Sequence, residues 1–107
     1  MQEEAHWQAA VMAKRAEIDR VDAEIIRLLA ERGKLVHEVG ELKPHVGAVR
    51  VPEREQQVIE RAAQLANQHG LDAEFARRLY HFLIDYFATR EEHQVLQRTL
   101  QNGTHTN

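Results

Sequence analysis

From Ile18 the chain places Ile18, Val21, Ile25, Leu28, Arg32, Leu35, Val39 and Leu42 in alternating steps of three and four. Such steps keep side chains on one stripe of an α-helix, here a heptad seam sustained over more than three repeats. One position in its middle, Arg32, carries a permanent positive charge. A guanidinium in an apolar stripe is costly unless an anion meets it. Neither Glu31 nor Glu38 lies one turn away on the seam side. The anion therefore comes from another element of the protein or from a ligand.

Chain length and breakers organise the rest. The 107 residues allow one domain, and two prolines leave long stretches open to helix. The patterning predicts three helices and no strand. The first runs from about Val11 to Lys43, where Pro44 forces its end. Residues 44–51 form a short loop. Pro52 suits the first position of a second helix, with Glu53 and Glu55 favouring its N-terminus and Gly70 near its stop. Asp72 is a natural N-cap for a third, from about Ala73 to Gln97. On this reading residues 11–98 are the domain, 1–10 an N-terminal extension and 99–107 a disordered tail.

The predicted first helix is a rod of roughly 50 Å at ~1.5 Å per residue. A compact domain of this size has a radius of gyration of only ~13 Å. Two shorter helices cannot cover such a seam alone. The expected architecture is all-α, three helices per chain, in a homodimer with the long helices packed against each other.

Other charged residues share the oddity of Arg32. Lys43 lies eleven residues on, about 20° off the same face and ~16 Å further along. Arg15 lies seventeen residues before Arg32, ~25 Å back, so one small ligand cannot touch both within a chain. An antiparallel dimer could bring Arg15 to the partner's site. Glu55 is in line with Ile59 and Ala62 on the second helix, and Glu91 with Ile84 and Phe87 on the third. Each of these has a bland alternative: a snorkelling or internally paired arginine, solvated helix ends, or a glutamate placed for the helix dipole. Jointly they describe a polar pocket with excess cations, suited to a small dianion carrying hydroxyl groups.

Composition removes competing chemistry. A net charge of −3 without a basic block argues against nucleic acid as main partner. Eleven arginines against three lysines favour bidentate contact with carboxylates. No apolar run approaches a membrane span, and the acidic start lacks the apolar core of a secretory signal, so a cytoplasmic location is expected. There is no cysteine and no serine, and no threonine has a persuasive base partner. The seven histidines include no pair at helical ligand spacing, and no glycine-rich phosphate loop is present. Neither a metal nor another cofactor is expected.

The stretches Arg15-Ala16-Glu17-Ile18-Asp19-Arg20-Val21-Asp22, Leu28-Leu29-Ala30-Glu31-Arg32, Val39-Gly40-Glu41-Leu42-Lys43 and Arg54-Glu55 resemble the all-helical chorismate mutases, the AroQ class. The Gly70-Leu71-Asp72-Ala73 entry to the third helix fits as well. The resemblance covers about residues 12 to 97. It implies an intertwined homodimer with two sites, each completed by an arginine from the other subunit. Carried over residue by residue, Arg15 is that donated arginine and binds one carboxylate of chorismate. Arg32 binds the other carboxylate, and Lys43 donates to the ether oxygen whose bond breaks. Arg54 and Glu55 match the pair at the start of the second helix, where the glutamate accepts from the ring hydroxyl. Glu91 stands where the bacterial enzymes usually have a glutamine that also donates to the ether oxygen.

Three positions depart from that pattern. Val51 replaces an aspartate in a loop that is one residue short, Phe87 replaces a site serine, and Glu91 replaces the glutamine. A carboxylate cannot donate, whereas a protonated Glu91 could, so activity favouring acidic pH is expected. The stretch Val51-Pro52-Glu53-Arg54 also resembles the isochorismate-pyruvate lyases. Those relatives tend to lack a glutamate at position 55, which tilts the expectation to the mutase. A 4-amino-4-deoxychorismate mutase is a further alternative. From another class, a non-catalytic helical dimerisation or regulatory module would pair Arg32 with a protein carboxylate and have no pocket.

Overall fold

A computed structural model of the chain describes residues 2–104, with side chains from position 6 to position 103. It contains α1 (Gln2–Leu42), a 3-10 turn (Val46–Ala48), α2 (Pro52–Gln68) and α3 (Ala73–Thr104). Among the described residues there is no strand, so the all-α expectation holds. None of these helices is long and apolar enough to cross a membrane.

Two helices outrun their expected bounds. α1 begins at Gln2 rather than Val11, because the preceding residues are good helix formers with no glycine or proline among them. α3 continues to Thr104 rather than stopping at Gln97, through positions expected to lie in a disordered tail. Val95 is wholly buried, and no proline follows it to break the ladder. The remainder of the expected tail, 105–107, lies outside the described residues.

The chain divides into two units, Met1–Lys34 and Leu35–Asn107. The first holds the N-terminal part of α1, where Ile18, Val21, Ile25 and Leu28 of the seam stay 46 to 56% exposed. The second holds the end of α1, the loop, α2 and α3.

Within the second unit the junctions follow local chemistry. Val51 is extended and caps α2 without a side-chain hydrogen bond. Pro52 at the helix start and Glu53 and Glu55 in the first turn take over that role. α2 ends in a Schellman turn: Leu71 N–H donates to Ala66 O at 2.8 Å and Gly70 N–H to Asn67 O at 3.4 Å. Gly70 takes φ 72°, a left-handed conformation that a side chain would strain. Asp72 Oδ1 then accepts from Phe75 N–H at 3.0 Å, the expected N-cap of α3.

The α2–α3 contact is built on small residues. Ala62 and Ala66 of α2 meet Ala76 of α3, with Tyr80 packed against them. Ile59, Leu83, Ile84, Ala88 and Val95 continue the buried layer, and Val49 anchors the loop. Short side chains let the helix backbones approach closely, and each fully buried aliphatic side chain contributes about 1.5–3 kcal/mol.

Candidate active site

Lys43 is the first residue beyond α1, and the chain reverses after it because Pro44 cannot extend the helix. The 3-10 turn brings two main-chain carbonyls back over its side chain. Lys43 Nζ donates to Ala48 O at 2.9 Å and to Val49 O at 3.2 Å. Glu91 Oε2 lies 3.3 Å from the same Nζ, an ion pair without hydrogen-bond geometry.

Glu91 comes from α3 and is 7% exposed, the one charged side chain among the described residues that is buried. Its Oε2 makes no hydrogen bond and is met only by the lysine's charge. A buried carboxylate oxygen in that state is an unusual feature of a folded protein and marks a site for a further polar partner. Glu91 was singled out in the sequence for lying on an apolar stripe, and its burial accounts for that placement.

A second cluster begins one residue after the carbonyls that hold Lys43. Arg50 grips Glu55 bidentately, Nε to Oε2 at 3.0 Å and Nη2 to Oε1 at 2.9 Å. Arg50 Nη2 also donates to Asp85 of α3 at 2.7 Å. The Arg50 guanidinium holds the Glu55 carboxyl below the usual carboxylate range, against a smaller opposing effect of burial. Both acids in turn raise the Arg50 pKa. Arg54, the expected neighbour of Glu55, is exposed and takes no part in this pair. At the position of the missing serine, Phe87 is half-buried with its ring edge-on to Tyr86 at 5.2 Å. An apolar wall stands there instead of a donor.

The expected site residues thus fall into groups. Lys43 and Glu91 are brought together, and Glu55 lies in the adjoining cluster. Arg15 is exposed and Arg32 half-buried, both on the part of α1 in the first unit. Arg50, Asp85, Gln94 and Arg98 were not anticipated. Arg50 precedes Glu55 by five residues across a loop and a proline, a spacing with no helical meaning. Gln94 and Arg98 could have been found, since they follow Glu91 by three and seven residues on the same face of α3.

No curated protein matches this chain. The family model described as chorismate mutase type II matches residues 14–92, most of the chain and the segment that carries Lys43, Glu55 and Glu91. The chain therefore belongs to the chorismate mutase type II family.

Proposed function

We propose that, within the chorismate mutase-like function this family carries, the chain rearranges chorismate to prephenate. The observation that carries the reading is the Lys43 ammonium, only 21% exposed and aimed by two carbonyls at a buried carboxylate oxygen without a hydrogen bond. The reaction is pericyclic and needs no nucleophile and no proton shuttle. It needs the enolpyruvyl chain held over the ring and negative charge stabilised on the ether oxygen.

In this reading Lys43 directs one N–H to the ether oxygen, with Glu91 beside the same atom. Arg32 binds one carboxylate of chorismate. Arg15 binds the other from the neighbouring chain of a homodimer whose long helices pack along the apolar seam. Arg54 belongs to the substrate-binding set at the start of α2, and Glu55, kept ionised by Arg50, accepts from the ring hydroxyl. The presence of Glu55 supports the mutase over isochorismate-pyruvate cleavage.

Purified protein is to be incubated with chorismate, following loss of its absorbance and conversion of the product to phenylpyruvate by acid. Turnover that Lys43→Ala abolishes supports the reading. Turnover of isochorismate to salicylate and pyruvate in its place would overturn it in favour of the lyase.

A further inference from the structure

α1 ends without its own capping group. The last four carbonyls of a helix lack intrahelical partners, and α1 has neither a glycine cap nor a basic residue in its last turn. Lys43 N–H turns back to Gly40 O at 3.2 Å, and further donors reach this end of the helix from α3. Arg98 Nη1 donates to Gly40 O at 2.8 Å, and Arg98 Nη2 donates to Lys43 O. Gln94 Nε2 donates to His37 O at 2.9 Å and to Glu41 Oε1 at 2.8 Å. Gly40 is buried directly under Gln94: a Cβ there would stand 2.5 Å from Gln94 Oε1.

Glu91, Gln94 and Arg98 form one stripe of α3, and each meets a successive part of the same turn. Glu91 meets the Lys43 side chain, Gln94 the carbonyl side of the helix, and Arg98 the main chain of Lys43 itself. A planar fork with fixed N–H directions can bridge two carbonyls three residues apart, and its charge suits the negative end of the helix. A lysine could supply the charge but not the bridge.

We propose that Arg98 is a positioning residue for Lys43, acting from α3 through the backbone of the last turn of α1. It lies outside the span that the family model matches. By fixing the Lys43 carbonyl, Arg98 fixes where the side chain starts, and the carbonyls of Ala48 and Val49 fix where it ends. The catalytic half of the claim rests on the role proposed above for Lys43. The structural half does not.

The test therefore has two arms. In the first, the chain is dimethylated under limiting reagent and the three lysines are followed by mass spectrometry. Lys14, 78% exposed, is the internal reference for Lys43. Lys43 is expected to react several-fold more slowly than Lys14 in the parent, and at a rate close to Lys14 in Arg98→Ala and Arg98→Lys. Circular dichroism establishes that each variant is folded at the assay temperature. Unchanged Lys43 labelling in both folded variants overturns the proposal, whatever the activity.

In the second arm Arg98→Ala is expected to lower kcat for chorismate about 10- to 100-fold with KM little changed. Added guanidinium ion restores part of the loss. A folded Arg98→Ala variant whose kcat equals that of an active parent also overturns the proposal. A parent that leaves chorismate untouched refutes the functional reading instead, and the labelling arm still decides the position of Lys43.

Discussion

At the scale of single residues, the site is governed by how charges are neutralised. Lys43 and Glu91 compensate each other inside the protein, where either alone would be expensive to bury. Arg50, Glu55 and Asp85 do the same at a more solvated position. Because Arg50 holds the folded Glu55 carboxyl below its unfolded pKa, the stabilisation is complete above the ordinary carboxylate range. It is lost as pH falls through the lower, folded value. Arg50→Ala is expected to cost about 1 kcal/mol at neutral pH, the upper end for partly exposed pairs. Urea denaturation of parent and variant should show that gap closing as pH drops below ~4. A gap that persists unchanged in acid would refute the assignment.

The unusual charges at Arg32, Lys43, Glu55 and Glu91 were legible because a charge on an apolar stripe violates a periodic pattern. For Glu91 the structure supplies the cause directly, in its burial against Lys43. Arg50 and Asp85 were not legible. Both are polar residues at exposed positions, where the pattern expects them, and only the reversal of the chain after Pro44 brings Arg50 to Glu55. Arg54 takes a different place from its neighbour. It is next to Glu55 in sequence, but side chains of consecutive helical residues point about 100° apart, so Arg54 stays exposed while Glu55 meets Arg50.

At the scale of elements, breakers and caps gave the order of helices, while their lengths were understated. Pro44, Pro52, Gly70 and Asp72 sit at junctions whose geometry each residue dictates locally, so sequence reading located them. The far ends of α1 and α3 carry no such marker, and helix simply persists. Two substitutions separate the fold from the site at this level. Asp72→Ala removes the N-cap of α3 and is expected to lower unfolding free energy by about 1 kcal/mol without altering turnover per folded molecule. Gly40→Ala gains about 1 kcal/mol of helix propensity but pushes Gln94 from its two hydrogen bonds, worth about as much. Its unfolding free energy is expected to stay close to the parent while turnover falls several-fold. Denaturation curves beside initial rates distinguish the two, and equal turnover in both variants would remove Gln94 from any role at the site.

At the scale of the whole molecule, the seam of α1 determines what the chain does with itself. Leu28 and Val39 remain about half exposed, and Leu42 is 82% exposed, so these apolar positions of the seam, on either side of Arg32, are uncovered within one chain. A second copy packed antiparallel along that stripe would supply both the cover and the Arg15 that each site is proposed to need. Subunit mixing tests this without a structure. Arg15→Ala and Lys43→Ala are each expected to be inactive alone. Their heterodimer contains one site with both residues intact, so refolding an equal mixture should recover about a quarter of parental activity. Failure to recover any activity would place Arg15 and Lys43 of a working site on the same chain.

The bonds from Gln94 and Arg98 to the end of α1 span 53 to 58 residues of chain. Helical turns and the α2–α3 reversal close over short separations and form quickly, whereas distant pairings wait for a large loop to close. The turn that sets Lys43 is consequently among the last parts of the chain to assemble. During synthesis Arg98 leaves the ribosome after all of α1, the loop and α2. A growing chain therefore becomes helical well before Arg98 can hold the backbone of its lysine in place.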